Sequence, residues 1–121
     1  MSPTSRVREA MQVSVVWLDP TEARLFHVSE DKMERLSVKL SGQSGDPASF
    51  AAIVAHLFGI RRILLVGPGE FKQQMLVFLV EQYPAVASRV LDCLPLGQPS
   101  DPDVAALALQ YLQGAPRRNL A

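Results

Sequence analysis

The sequence has little of what a chemically specialised site usually needs. Its 121 residues include one cysteine and two histidines, and its charged residues balance to a formal net charge of zero. A single cysteine cannot form a disulfide within the chain, so a disulfide-stapled fold is excluded. We expect Cys93 to pack in the core, because it lies inside the apolar segment 90–94.

Two further absences narrow the classes of function. A neutral chain lacks the overall field that draws a protein onto nucleic acid or an anionic membrane, so any RNA contact must be local. The N-terminal region reaches only a short, mainly apolar stretch, Val13–Leu18, before Asp19-Pro20 ends it. Such a stretch is too short for a membrane span or a secretion signal, and we expect a cytoplasmic protein.

The sequence also lacks familiar catalytic and metal-binding motifs. His27 and His56 stand alone, with no cysteine or carboxylate at metal-ligand spacing, so no metal site and no cofactor are predicted. Serine-hydrolase and nucleophilic-cysteine motifs are missing as well. Trp17 alternates within a strand-like segment and is expected in the core.

What is present suits one packed domain. The length fits a single core, and 48% of the residues are hydrophobic. The polar ends predict a flexible tail at residues 1–10, a domain at 11–113 and a second tail at 114–121.

The first part of the domain reads as an antiparallel meander. The strands are predicted at Val13–Leu18, Ala23–Val28 and Leu36–Leu40, separated by two turns. A period of two in the third strand places Leu36, Val38 and Leu40 inward.

The second part alternates helices with strands. Asp46-Pro47 is a helix start, and Gly59 is its predicted end. The apolar positions of this helix are Phe50, Ile53, Val54, Leu57 and Phe58.

The later elements continue the alternation. Strands are predicted at Ile63–Val66 and Arg89–Leu94, and a last helix starts around Ser100. The helix Glu70–Gln82 is apolar over most of its circumference, so we expect it to be heavily buried and to contribute to a homodimer contact.

The order of elements predicts the fold class. Right-handed crossovers give an α/β fold with a ribonuclease H-like mixed five-stranded sheet. The predicted strand order is 3-2-1-4-5, with strand 2 antiparallel and about three helices on the faces.

This topology places a crevice at the edge where strands 1, 3, 4 and 5 end. Open α/β sheets bind ligands at such an edge, next to the point where the strand order reverses. The residues predicted to meet there are Asp19, Gly42, Gln43 and Ser100, together with the turn at Gly67–Gly69.

The Gly67-Pro68-Gly69 turn has two interpretations. It offers amide groups and a helix dipole to an anion, with Glu70, Phe71 and Lys72 following in the first turn. It is equally a tight connection between a strand and a helix, and it lacks the Lys-Ser/Thr pair of a nucleotide-binding loop. We regard the structural role as the main one.

Two more groups of residues are candidates. Asp19 could serve a metal-dependent nuclease, although Asp19-Pro20 is also a common turn opening. Arg61-Arg62 stands at the start of the fourth strand, at the edge opposite the crevice, and reads as a solvent-exposed pair available for interaction.

Three segments resemble a known family. They are Trp17-Leu18-Asp19 with Glu22–Phe26, then Ile63–Lys72, and Ala106–Leu112. On these residues the chain resembles the middle domain of archaeal and eukaryotic class-1 peptide-chain release factors and of Pelota. It resembles more closely the small bacterial proteins called translational machinery proteins.

The resemblance implies a role in translation. Release factors carry a Gly-Gly-Gln loop for peptidyl-tRNA hydrolysis before the first helix of this domain, and here that place holds Ser41-Gly42-Gln43-Ser44, with Ser41 in place of the first glycine. We therefore expect a non-catalytic interaction domain acting at the ribosome or on tRNA. The alternatives are a nuclease using Asp19, an aminoacyl- or peptidyl-tRNA hydrolase using Gln43, and an anion or nucleotide sensor.

Overall fold

The computed structural model describes residues 12–29, 32–43 and 46–112. The predicted tails at 1–10 and 114–121 lie outside the described residues. The elements, in chain order, are β1 Val13–Asp19, β2 Glu22–Val28, β3 Met33–Lys39, α1 Pro47–Val54, β4 Ile63–Gly67, α2 Phe71–Gln82, α3 Pro84–Ala87, β5 Val90–Pro95 and α4 Asp101–Leu112.

The five strands form one mixed sheet in the order β3-β2-β1-β4-β5, which confirms the predicted topology. β2 is antiparallel to both β1 and β3, whereas β1, β4 and β5 are parallel. The ends of β1, β3, β4 and β5 therefore lie along one edge of the sheet, called here the crevice edge. The strand starts lie along the opposite edge.

Helices cover both faces of the sheet. α1, α2 and α3 pack on one face over side chains such as Leu18, Leu25 and Leu65. α4 packs on the other face over Trp17, Phe26 and Val66. Because β4 is buried throughout, its run of apolar residues without polar alternation is what a central strand requires.

Two predicted burial patterns, in β3 and in the segment after α1, differ from the structure. Leu36 was expected inward, but it is 36% exposed, because β3 is an edge strand and α1 covers only its later part around Val38 and Leu40. Residues 55–59 form turns instead of continuing α1, and Phe58 is 60% exposed. Gly59 ends this segment with φ 86°.

The prediction that α2 is buried over most of its surface is also wrong. Val77 and Val80 are exposed, whereas Met75 and Leu79 are buried. α2 has only one neighbouring layer, so the half of its circumference that faces away from the sheet remains in solvent. The short helix α3, which begins at Pro84, was not predicted as an element.

No helix within the described residues combines the length and the apolar character needed to cross a lipid bilayer.

Candidate functional site

The loops at the crevice edge contact one another as the topology predicts. The Gly42 amide donates to the Pro20 carbonyl at 2.9 Å, which joins the β3–α1 loop to the β1–β2 turn. The Leu96 amide donates to the Gly67 carbonyl at 3.3 Å, which joins the loop after β5 to the end of β4. These contacts form a continuous rim across the ends of the strands.

Asp19 is engaged in its own turn. Its Oδ1 accepts hydrogen bonds from the Thr21 amide at 2.9 Å, the Thr21 hydroxyl at 2.9 Å and the Glu22 amide at 3.0 Å. This is the pattern by which an aspartate stabilises a turn. Within the described ranges, no group of three or more His, Cys, Asp or Glu residues is placed to hold a metal ion.

Gln43 lies on the exposed part of the rim. Gly42 before it adopts φ 86°, a conformation that glycine tolerates, and the Gln43 amide donates to the Ser41 hydroxyl at 3.1 Å. The structure thus brings the loop that carries Gly42 and Gln43 into contact with the turn that follows Asp19.

Gly67 allows β1 and β4 to approach closely at this edge. Its φ is 146°, and a Cβ atom added there would lie 2.4 Å from the Leu18 carbonyl oxygen. Gly69, two residues later, has φ 67° but open space around the same position. The first glycine is therefore required by packing and the second only by backbone conformation.

The Lys72 side chain does not face a ligand at the rim. Lys72 is only 4% exposed, and its ammonium group donates to the Gly69 carbonyl at 2.5 Å. The neighbouring Phe71 is buried against Phe50, with ring centroids 5.1 Å apart. Of the residues proposed to bind an anion, only Gly69 and Glu70 are exposed.

Cys93 lies near Lys72 on the inner face of β5. It is half-buried and packs against the core, as predicted. Burial raises the pKa of its thiol, and the nearby Lys72 charge offsets part of this effect. A thiol in this environment is a weak nucleophile at neutral pH.

The loop after β5 is held by Trp17, a role that the sequence interpretation missed. The buried indole N–H donates to the carbonyls of Leu96, at 3.1 Å, and Gly97, at 2.6 Å. Because a buried tryptophan N–H usually has a hydrogen-bond partner, the sequence predicts that an acceptor exists. It does not predict which residue supplies it. Ser100 follows this loop, and its hydroxyl caps α4 by accepting from the Asp103 amide at 3.3 Å.

Carboxylates dominate the charge of the rim. They are Asp19, Glu22, Asp46, Glu70, Asp101 and Asp103. Two are in ion pairs, Glu22 with Arg24 and Asp101 with Arg35. Hydrogen bonds from Ser41 and the Ala48 amide lower the pKa of Asp46, so this carboxyl stays charged at neutral pH.

No protein-family model and no curated protein matches the sequence. Solved structures do match: Pelota from Archaeoglobus fulgidus has a TM-score of 0.66 at 18% identity, over 93% of this chain and 38% of that protein.

Two further structures show the same similarity. The archaeal translation termination factor aRF1 has a TM-score of 0.66 at 10% identity, over 91% of this chain and 36% of its own. Dom34 from Saccharomyces cerevisiae, a translation termination-like factor involved in RNA quality control and interacting with Hbs1, has a TM-score of 0.59 at 11% identity, over 91% and 38% of the two chains.

These matches confirm, at the level of the fold, the similarity predicted from the three sequence segments. The chain spans well under half the length of the proteins it matches.

Proposed function

We propose that this chain is a small, cytoplasmic, non-catalytic interaction domain of translation that associates with the ribosome or with tRNA. The observation that carries the proposal is the similarity over more than nine-tenths of the chain to Pelota and aRF1, the second of which is a translation termination factor. Since this similarity concerns the fold, the function is an analogy that must be tested.

We also propose that the chain is of the bacterial translational machinery protein type. The residues that support this assignment are those of the resemblance, above all the strand, turn and helix from Ile63 to Lys72. In the structure, this segment forms β4, the close approach at Gly67 and the first turn of α2.

The geometry of the rim supports an interaction role. The Asp19 carboxylate accepts bonds within its own turn, and Lys72 is directed at the Gly69 carbonyl. Hydrolysis by Gln43 would additionally require its placement against a substrate ester.

Sucrose-gradient sedimentation of a cell lysate containing the tagged chain tests the proposal. We expect the chain to co-migrate with ribosomal fractions and to recover ribosomal RNA or tRNA on affinity capture. Migration only in the free fractions, with no RNA recovered, would overturn the association with translation.

The homodimer remains a prediction. The exposed Val77 and Val80 of α2 support it, together with a groove of about 590 Å³ between α1 and α2 whose floor includes Phe50 and Phe78. Sedimentation equilibrium gives the mass directly. A monomer mass at high concentration would contradict the prediction.

A further inference from the structure

Three arginines lie at the edge of the sheet opposite the crevice, just before the starts of two neighbouring strands. Arg61 and Arg62 precede β4, and Arg89 precedes β5. β4 and β5 are parallel neighbours, with Ile63 paired to Val90, so the arginines start from adjacent strand positions. Adjacent strands lie about 4.8 Å apart, and the Ile63 amide donates to the Arg89 carbonyl at 3.0 Å, so the backbones at the two strand starts are close neighbours.

Backbone contacts hold two of these side chains in place. Arg62 Nη1 donates to the Tyr111 carbonyl at 3.4 Å, and Arg89 Nη1 donates to the Ile60 carbonyl at 3.3 Å. Each contact uses one of the five N–H donors of a guanidinium group. Within the described residues, no carboxylate forms an ion pair with Arg61, Arg62 or Arg89.

An exposed aromatic ring lies in the turn that precedes Arg61 and Arg62 in the chain. Phe58 is 60% exposed and lies three residues before Arg61, within the turn that ends at Gly59. Its ring packs edge-on against Tyr83, with centroids 6.0 Å apart, and Tyr83 packs against Phe78 at 5.8 Å. These half-buried rings support Phe58 on one side, while most of its own surface is exposed.

We propose that this surface, made of Arg61, Arg62, Arg89 and Phe58 and called here the arginine edge, binds single-stranded RNA. The guanidinium groups take successive phosphates, and a base stacks on Phe58. Charge complementarity selects this occupant, since three arginines without an ion-pair partner among the described residues, together with an exposed aromatic ring on the preceding turn, match the phosphates and bases of a nucleotide strand. The proposal rests on the proposed function, because translation is what would supply the RNA.

Fluorescence anisotropy with a labelled single-stranded RNA of about 12 nucleotides tests the arginine edge. The test variant is Arg61→Gln/Arg62→Gln. The matched control is Arg35→Gln/Lys39→Gln on the exposed strand β3, which removes the same charge at another place. Circular dichroism and thermal unfolding confirm that each variant is folded.

We expect the test variant to bind at least tenfold more weakly than the control at about 50 mM salt. Each lost phosphate contact lowers the slope of log affinity against log salt by about 0.7 for single strands, so two contacts lower it by about 1.4. Equal weakening by the two double variants, or no binding by the wild-type chain, would overturn the proposal.

A second pair of variants tests the stacking role of Phe58. Phe58→Ala should weaken binding at least about fivefold while leaving the salt slope unchanged, because the lost interaction is not ionic. Phe58→Tyr keeps an aromatic face and should bind like the wild type. Equal affinity of the Ala and Tyr variants would remove Phe58 from the site.

The same variants separate this inference from the proposed function. If Arg61→Gln/Arg62→Gln binds the RNA as tightly as its control does while the wild-type chain co-sediments with ribosomes, the arginine edge is wrong while the ribosomal association stands. If the wild-type chain binds RNA through the arginine edge but does not co-sediment, the ribosomal association fails while the arginine edge stands.

Discussion

The two edges of the sheet differ in how far their polar groups are already engaged. At the crevice edge, Asp19 is bonded within its turn and Lys72 to a backbone carbonyl. At the arginine edge, Arg61 is exposed and the other two arginines each donate to one carbonyl. Topology marks the first edge as the place for a ligand, but charge and available donors favour the second for a polyanion.

The polarity of the helices explains this difference. α1, α2 and α4 all start at the crevice edge, where caps and first-turn carboxylates such as Asp46, Asp101 and Asp103 stabilise their exposed amides. The helices end near the opposite edge, where cations are favoured, and Arg62 bonds the carbonyl of Tyr111 in the last turn of α4. The α/β architecture therefore tends to place acids at one edge and bases at the other.

Gly67→Ala should have the largest effect and tests whether the crevice edge is primarily structural. The new Cβ would lie 2.4 Å from the Leu18 carbonyl oxygen, at a φ of 146° that alanine rarely adopts. We expect the free energy of unfolding to fall by about 3 kcal/mol or more. Urea denaturation followed by circular dichroism measures this change.

Gly69→Ala is the matched control for this substitution. It also places alanine at a positive φ, but no atom lies within 4 Å of the new Cβ. We expect a loss of about 1 kcal/mol, from the backbone conformation alone. Equal losses for the two variants would mean that the close approach of β1 and β4 contributes nothing.

The sequence was sufficient to predict the order of strands and the loops that meet at the crevice edge. Strand order follows from the change between periods of two and 3.6 and from the handedness of crossovers, both of which are local or general rules. The wrong predictions for the exposure of Leu36, Phe58 and Val80 share another cause. Their exposure depends on where the covering layer stops, and hydrophobic periodicity does not contain that information.

Side-chain directions at the candidate site were likewise beyond the sequence. Lys72 occupies the predicted helical position, yet its ammonium group turns back to the Gly69 carbonyl. Trp17 is buried as predicted, but its bonds to Leu96 and Gly97 join residues about 80 positions apart in the chain. Such contacts depend on the packed arrangement of β1 and the loop after β5.

Asp19→Ala should have an intermediate effect and tests the turn-stabilising role of this carboxylate. The substitution removes the acceptor of three hydrogen bonds, two of them from the backbone amides of Thr21 and Glu22. We expect the free energy of unfolding to fall by about 1 to 2 kcal/mol. Thermal unfolding of the wild type and the variant provides the comparison.

Asp19→Asn separates the turn from a catalytic carboxylate. The amide oxygen can accept the same bonds, so we expect most of the stability to be kept. Millimolar Mg²⁺ should leave the melting temperature of the wild type unchanged. A marked rise that depends on Asp19 would instead favour the nuclease interpretation.

The smallest expected effect is the pH dependence of stability that arises from His27. This residue lies near the arginine edge, opposite the start of β1. His27 Nδ1 is hydrogen-bonded to the hydroxyl of the fully buried Ser14 at 2.5 Å. Burial is the main cause that lowers the pKa of His27, and nearby His56 lowers it further, whereas Glu34 opposite on β3 raises it. The folded protein therefore resists protonation of this ring.

The direction of the pH dependence follows from this shift. The unfolded chain takes up the proton near its ordinary pKa of 6.5, and the folded chain only at lower pH. The stabilisation is complete above 6.5 and is lost as the pH falls from there toward the pKa of the folded state. His27→Gln should flatten the decline in unfolding free energy between about pH 7 and pH 5, measured by urea denaturation.

His56→Gln is the control for this measurement. Because it removes only a minor cause of the lowered pKa, it should flatten the decline less than His27→Gln does. Identical slopes for the wild type and His27→Gln would show that other groups carry the acid sensitivity. A slope reduced only in the His27 variant would place that sensitivity at the part-buried Ser14–His27 pair, near the edge of the sheet where the arginines also lie.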